Sequence, residues 1–242
     1  MELLNLAVIW EYGPALLRGL AMTVALTCTV IVLAGILAIP VALMRLSRNR
    51  GLRLIADIYV EIIRGTPLLL QLFYIYFVLP SVGITLNPIL AGIVGLTINY
   101  TAYMSEVYRA GFNAVPKGQS LAAAALGMVP RQAFLRIVLP QALRIITPAL
   151  GNFFISLFKD TALTAVITVP ELLYTGQNIS ARSYQYFTIY TAIGGLYLAS
   201  GIPAAMLVRY LERRFPPTYA RRKTGKAPTP MLHRPTASGG VA

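Results

Sequence analysis

Cysteine and histidine are almost absent from the sequence, which contains one of each in 242 residues, Cys28 and His233. A single cysteine cannot form a disulfide within the chain. One histidine argues against a zinc centre and against a Ser-His-Asp hydrolase site. The P-loop of ATPases is also missing, because the only Gly-Lys pair, Gly225–Lys226, is followed by alanine. We therefore expect a chain that is not an enzyme, holds no metal or cofactor, and cannot hydrolyse ATP by itself.

Charged residues are scarce as well. They make up 12% of the chain, whereas soluble domains carry about 25%. Hydrophobic residues make up 57%, and the mean hydropathy is +0.67. A chain of this length accommodates four to six membrane helices of about 20 residues each. The composition thus excludes an ordinary soluble domain and predicts an all-α membrane protein.

Long stretches without charge indicate where the membrane helices lie. Residues 19–44 and 65–105 contain no Asp, Glu, Lys or Arg, and the proline-containing turn 80–88 divides the second stretch. Five transmembrane helices are predicted, at about residues 20–43, 58–79, 89–108, 149–169 and 187–208. They form one transmembrane domain, residues 1–220, and the Pro-, Thr-, Ser- and Gly-rich tail 221–242 is predicted to be disordered.

Basic residues are unevenly distributed between the two sides that these spans define. All Lys and Arg residues except Arg18, Lys159 and Arg182 fall on one side, and cytoplasmic loops carry the excess of such residues. The pattern predicts that the N-terminus is outside and the C-terminus cytoplasmic. The net charge of +13 is therefore explained by membrane topology, and no nucleic-acid partner is expected.

The segment 109–144 is too polar to span a membrane and too long for a turn. Good helix formers from Gln119 to Leu126 precede Gly127, a residue typical of helix ends, and a second short helix is predicted from Arg131 to Val138, before Pro140. The segment fits either an amphipathic helix on lipid headgroups or a helix that docks on another protein. We expect an ordered helical loop and leave these two alternatives open.

Two pairs of opposite charges lie three residues apart in predicted helices, Glu61–Arg64 and Glu106–Arg109. This spacing places both members of a pair on one helix face, so each pair is predicted to form a structural ion pair. For the first pair, the alternative is a helix break at residues 65–67, Gly-Thr-Pro, that opens a cavity.

Lys159 and Asp160 interrupt the fourth predicted span, where unpaired charges are costly. Neighbouring helical residues point about 100° apart, so these two do not neutralise each other side by side. One hypothesis is a water-filled substrate pathway lined by Asp160, Asn152 and Thr161, for which Lys159 is also a candidate. The alternative for Lys159 is that its ammonium group reaches the outer membrane surface.

Several motifs follow one another in a recognisable order. They include Glu61-Ile-Ile-Arg-Gly-Thr-Pro67, Lys159-Asp-Thr161, and Gly127 followed after nine residues by Ile137-Val-Leu-Pro140. With further matches between about residues 18 and 212, they resemble the polar-amino-acid branch of bacterial ABC importer permeases. The resemblance implies the five-helix permease fold of that family.

The resemblance also implies that residues 116–140 are a coupling loop for the ATPase. The residues that match the loop of the family are Gly118, Gln119, Leu121, Ala122, Ala123, Gly127, Phe134, Ile137 and Pro140. Leu121 departs from the pattern, because the family has a glutamate at this position and leucine can only pack.

As such a permease, the chain would be the membrane-spanning subunit of an ATP-driven importer for a polar amino acid or related zwitterion in the bacterial inner membrane. The implied partners are a cytoplasmic ATPase dimer that binds ATP and Mg²⁺, a second permease chain, identical or similar, and an extracytoplasmic solute-binding protein. A secondary transporter or channel is the alternative. It usually requires inverted repeats, which the sequence does not show.

Overall fold

The structure is a computed structural model that describes the backbone of residues 5–214 and the side chains of residues 5–210. This part of the chain contains helices and no β-strand. Its α-helices are α1 (Leu6–Leu46), α2 (Arg50–Gly65), α3 (Leu68–Phe73), α4 (Pro88–Asn113), α5 (Lys117–Ala125), α6 (Pro130–Ala133), α7 (Leu139–Asp160), α8 (Leu172–Ser183) and α9 (Tyr186–Arg214). The all-α class is confirmed, and the predicted tail 221–242 lies outside the described residues.

The largest core lies where α1 packs against α4 and α7. In this core α1 contributes small, fully buried residues that recur every four positions: Ala34, Ala38 and Ala42. Helix α4 contributes large buried residues with the same spacing: Leu96, Tyr100, Met104 and Tyr108. Residues four apart share one helix face, and small residues on one helix let the backbone of another approach closely.

Helix α8 packs in the angle between α1 and α9. Gly19 of α1 permits this approach, because a Cβ atom there would lie 3.0 Å from Leu172 Cα and 3.1 Å from the carbonyl oxygen of Glu171. Gly176 of α8 permits the approach to α9, because its Cβ would lie 2.0 Å from an isoleucine side chain. Residues Leu172–Ser183, between the fourth and fifth predicted spans, thus form a packed helix.

The transmembrane helices differ in part from the prediction. Within residues 5–214, three helical stretches are long and apolar enough to cross a membrane: Leu6–Leu46, Pro130–Ile167 and Tyr186–Tyr210. A bent pair, Arg50–Gly65 and Leu68–Val82, would be a fourth if both helices belong to one span. The first of the three is 41 residues long and extends well beyond the predicted span 20–43 at its N-terminal end. Helix α4 contains the predicted span 89–108. That the chain has five transmembrane helices is still a prediction.

The second predicted span, 58–79, is not one continuous helix. Helix α2 ends at Gly65, and the following helical stretch, Leu68–Val82, makes an angle of 104° with it. Thr66, between them, has an extended backbone with φ −117° and ψ 142°. Pro67 explains the break, because proline disfavours a helical conformation in the residue before it and has no N–H to continue a helix.

The fourth predicted span also has different ends. Helix α7 begins at Leu139 and not near Ala149, and it contains Pro148 in its interior. After Asp160 the chain narrows to a 3₁₀-helix, Thr161–Ile167. The predicted span therefore combines the second half of an α-helix with a tighter helical segment.

Two π-helical turns each end two residues before a proline. Tyr74–Val78 precedes Pro80, and Phe134–Val138 precedes Pro140. In a regular α-helix the proline ring clashes with the carbonyl four residues before it, and a wider turn relieves the conflict. This explains why the predicted short helix Arg131–Val138 does not end before its proline but continues into α7.

Candidate functional site

A cavity of about 520 Å³ opens beside the break between α2 and α3. Helices α4 and α7 form its other walls. Its polar and charged lining residues are Arg64, Thr66, Asn99, Tyr100, Tyr103, Ser156 and Asp160. One basic and one acidic side chain therefore line the same cavity.

Asp160, the last residue of α7, is held in place by α4. Tyr100 Oη donates a hydrogen bond of 2.7 Å to Asp160 Oδ2. The Tyr100 ring packs edge-on against Phe153, with 6.0 Å between the ring centroids, which helps to fix the direction of the hydroxyl. Because Asp160 is only partly buried, its carboxylate retains acceptor capacity toward a molecule in the cavity.

Gln71 of α3 stabilises the break in the second helix. Its Nε2 donates hydrogen bonds of 2.8 Å to the carbonyl of Ile63 and of 2.8 Å to Thr66 Oγ1. Its Oε1 accepts a hydrogen bond of 3.0 Å from Asn99 Nδ2 on α4. The amide thus satisfies a carbonyl at the end of α2, where helical partners are missing, and fixes the bend relative to α4.

Arg64 lies at the end of α2, and its guanidinium carbon is 5.5 Å from the centroid of the Tyr103 ring. This is the arrangement of a cation–π interaction. The predicted ion pair of Arg64 with Glu61 does not form, and Glu61 belongs to none of the salt bridges found in residues 5–210. The helix ends directly after Arg64, and this side chain lines the cavity.

The second predicted ion pair, Glu106–Arg109, does form. Glu106 also accepts a hydrogen bond from Arg45 at the end of α1, and Arg45 Nε lies 2.7 Å from Asp57 Oδ1 on α2. These four side chains connect the end of α1 to the middle of α2 and to the C-terminal third of α4. No local pattern predicted the role of Arg45, because 61 residues separate it from Glu106.

The other predicted pathway residues lie outside the cavity. Lys159 lines a separate groove between α7 and α9. Asn152 is exposed on α7 and does not line the cavity. Thr161 is fully buried, and its hydroxyl donates a hydrogen bond of 2.8 Å to the carbonyl of Phe158. Of the four candidates, Asp160 alone is a lining residue.

Sequence reasoning missed the contribution of α4 to the cavity. The residues concerned are Asn99, Tyr100 and Tyr103. The sequence did contain an indication of this polar face, because these side chains occupy adjacent turns of the third predicted span, which is otherwise apolar.

Helix α5 ends in a Schellman motif. Gly127 has φ +76°, and its N–H donates to the carbonyl of Ala124 at 2.9 Å. The N–H of Met128 donates to the carbonyl of Ala123 at 3.0 Å. These bonds satisfy the carbonyl groups at the helix end, and the left-handed conformation favours glycine. The predicted helix end at Gly127 is confirmed.

The loop that contains α5 is anchored on one side and exposed on the other. Ala123 is buried, and Phe134 packs on Phe112 at the end of α4, with 5.5 Å between the ring centroids. Leu121 and Leu126 are 70% and 81% exposed. The remaining residues of the predicted coupling loop are exposed or half-buried: Gly118, Gln119, Ala122, Ile137 and Pro140. Exposed large apolar side chains in a fixed loop indicate a contact surface.

Glu171 is the fully buried acidic residue at the start of α8. Its carboxylate accepts hydrogen bonds of 2.9 Å from Leu173 N and of 2.7 Å from Tyr174 N. Tyr197 Oη of α9 donates a third bond of 3.0 Å. The backbone bonds are those of a helix N-cap, and the hydroxyl connects α8 to α9.

Apolar helices of membrane-spanning length, a polar cavity at a broken helix and an exposed helical loop together define an integral membrane transport subunit. Within the described part of the chain, no group of three or more His, Cys, Asp or Glu side chains could hold a metal ion. The chain belongs to the family described as "Binding-protein-dependent transport system inner membrane component", whose sequence profile matches residues 30–216.

Proteins of similar sequence are also named as transport permeases. A protein of Sinorhizobium fredii, named a probable amino-acid ABC transporter permease, is 38% identical over 203 residues, which are 84% of this chain and 88% of that protein. The L-cystine transport system permease protein TcyB of Bacillus subtilis is 38% identical over 217 residues, covering 87% and 93% of the two chains. The resemblance to ABC importer permeases is thereby confirmed.

Solved structures show the same fold. A crystal structure described as an amino acid ABC transporter with histidines superposes with a TM-score of 0.83 at 36% identity, covering 87% of this chain and 99% of that one. An inward-facing structure of the MetNI methionine ABC transporter has a TM-score of 0.66 at 22% identity, covering 83% and 97%. The protein is thus an inner-membrane permease subunit, and its family implies ATPase and solute-binding partners.

Proposed function

We propose that this permease moves a polar amino acid or a related zwitterion into the cytoplasm through the cavity beside Asp160, driven by ATP hydrolysis in a separate subunit. The relatives described above support the substrate class, because their names specify amino-acid transport. The chemistry of the cavity supports it independently.

The cavity has the charges that a zwitterion requires. Asp160 offers a carboxylate to the substrate ammonium group, and Arg64 offers a guanidinium to the substrate carboxylate. The volume of about 520 Å³ is within the range of small-molecule sites. The presence of both charges in one cavity is the observation that carries the proposal. Two permease chains, identical or similar, together enclose the pathway, and a solute-binding protein delivers the substrate from outside.

Uptake by the assembled complex in proteoliposomes tests the cavity. We expect Asp160→Asn to lower uptake by about tenfold or more, because a hydrogen bond to a charged group contributes about 1.5–3 kcal/mol. Assembly and basal ATP hydrolysis should remain. Lys159→Met is the matched control, since it removes the neighbouring charge, which lies outside the cavity. Full uptake by Asp160→Asn, or equal losses in both variants, would contradict the proposed site.

We further propose that α5 and the following loop bind the ATPase. The exposed side chain of Leu126 supplies an apolar contact, and the Schellman motif at Gly127 fixes the turn beside it. Gly127→Asp is expected to abolish ATPase binding and transport while membrane insertion remains normal, because it strains the turn and adds a charge at the contact. Leu121→Glu, which introduces the family residue, is the control and should be tolerated. Full transport by Gly127→Asp would exclude this docking surface.

The proposed topology has five spans, an outer N-terminus and a cytoplasmic C-terminus. It is supported by the distribution of Lys and Arg. In a Cys28→Ser background, single cysteines at Gly83 and Gln177 should react with an impermeant thiol reagent in intact cells. Cysteines at Asn49 and Met128 should react only after the membrane is opened, and the reverse pattern would contradict the topology.

A further inference from the structure

Helix α2 has an apolar face that no part of the described chain covers. Ile55, Ile58 and Ile62 are 62%, 49% and 58% exposed, and they recur three and four residues apart. The buried residues of this helix, Ala56 and Val60, lie on another face. Helix α2 therefore has apolar residues both on the face that packs against the protein and on the face that points away from it.

The contacts of α2 with α4 show how α2 is oriented. Tyr59 Oη donates a hydrogen bond of 2.7 Å to the carbonyl of Ile98. Asp57, which points about 200° away around the helix, binds Arg45, and Arg45 also binds Glu106. Residues 98 and 106 are about 12 Å apart along α4, which is the diameter of one helix with its side chains. One side of α2 thus contacts α4 directly at residue 98, and the opposite side is linked through Arg45 of α1 to residue 106, one helix diameter further along α4. This arrangement indicates that α2 crosses α4 and does not run along it.

The bend at Thr66 leads to the same conclusion. Because α2 makes an angle of 104° with the stretch Leu68–Val82, both cannot lie along the membrane normal. The link from Asp57 through Arg45 to Glu106 places this side of α2 near the end of the third predicted span, 89–108. This level corresponds to the boundary between headgroups and acyl chains on the proposed cytoplasmic side.

Three exposed arginines occur at and just before the start of α2: Arg48, Arg50 and Arg53. Basic side chains at this level are attracted to anionic headgroups. We propose that α2 is an interfacial helix, with its exposed isoleucines among the acyl chains of the cytoplasmic leaflet and these arginines on anionic lipid headgroups. Crossing of the bilayer then begins at Leu68.

Spin-label depth measurements on the assembled complex in bilayers test this orientation. Single cysteines are placed at Arg53, Ile58, Glu61 and Ile62 in a Cys28→Ser background. If α2 is interfacial, labels at positions 58 and 62 should be accessible to oxygen and lie about 5–10 Å into the membrane. Labels at positions 53 and 61 should instead be accessible to a water-soluble nickel chelate.

A transmembrane α2 would give a different profile. The depth would then increase steadily along the helix, and the neighbouring positions 61 and 62 would have almost the same depth. Low accessibility of positions 58 and 62 to both reagents would mean that a second permease chain or the ATPase covers this face. Either result would overturn the proposal.

Binding of spin-labelled phosphatidylglycerol, measured against spin-labelled phosphatidylcholine, tests the headgroup contact. The variant with Arg48→Gln, Arg50→Gln and Arg53→Gln together should lose at least about fivefold of its selectivity for phosphatidylglycerol, the factor expected for one arginine at the membrane surface. Arg182→Gln, on the proposed outer side, is the matched control and should retain the selectivity. Unchanged selectivity in the triple variant would overturn the headgroup assignment. Both experiments are made without substrate, so their outcome does not depend on the proposed transport function.

Discussion

Asp160 and Glu171 are both carboxylates among apolar helices, but their surroundings differ. Glu171 is 0% exposed and accepts hydrogen bonds from two backbone N–H groups of α8 and from Tyr197. Asp160 accepts a bond from Tyr100 and borders the cavity. Nearly all the acceptor capacity of Glu171 is used within the protein, whereas that of Asp160 is partly free.

This difference separates a structural carboxylate from a candidate binding group. A buried acceptor that serves several donors stabilises the fold, because removing it leaves those donors unsatisfied. An acceptor with one protein donor and access to a cavity can bind a ligand at little cost to stability. Stability measurements and uptake measurements on the same variants should therefore diverge between the two sites.

The largest expected effect on stability is that of Glu171→Ala. Three donors lose their acceptor, at about 1–3 kcal/mol each, so the free energy of unfolding should fall by at least about 3 kcal/mol. Thermal unfolding of the detergent-purified permease should show a midpoint lower by about 10 °C or more. Glu171→Gln retains an acceptor oxygen and should lose less. A midpoint unchanged in Glu171→Ala would mean that the carboxylate is not a structural element.

An intermediate effect is expected for Gln71→Leu. The carbonyl of Ile63 and the amide of Asn99 each lose a partner, which should lower the free energy of unfolding by about 2 kcal/mol. Uptake should fall too, because the bend that forms one wall of the cavity is no longer fixed. Replacement of the exposed Gln177 by leucine should alter neither quantity. Normal uptake by Gln71→Leu would show that the break maintains its geometry without the amide.

The smallest effect on stability is expected for Tyr100→Phe, which removes one hydroxyl and about 1 kcal/mol. Uptake should nevertheless fall several-fold, because Asp160 loses the group that orients it. Tyr108→Phe is a matched control, since this hydroxyl donates a bond of 3.2 Å to Gly35 outside the cavity. If Tyr100→Phe and Tyr108→Phe lose similar stability but differ in uptake, the distinction between Asp160 as a binding group and Glu171 as a structural group is strengthened. If the two variants have equal uptake, this distinction is lost.

Local features of the fold were predictable from the sequence. Gly127 predicted the end of α5, and the low charge of the spans predicted the general membrane architecture. The break at Thr66 was recognised only as an alternative to an ion pair, because the local sequence fits both arrangements. The contact of Gln71 with Asn99 favours the break, and these residues are 28 positions apart.

The site was predictable only in part, for a geometric reason. Lys159 and Asp160 are adjacent in sequence, and a helix directs them about 100° apart. Which of them lines a cavity depends on how α7 is rotated against α4. The buried position of Glu171 likewise depends on a contact with Thr23, 148 residues away. Such pairings cannot be read from the local pattern.

The π-helical turn Phe134–Val138 joins the exposed loop to α7. Its hydrogen bonds span one residue more than those of an α-helix, so the turn accommodates an added residue without rotating the helix that follows. Deleting one residue here would let the turn close as an ordinary α-helical turn, and the ring of Pro140 would then clash with the carbonyl four residues before it. The wider turn thus lets one continuous helical path connect the proposed ATPase contact to α7, which carries Asp160.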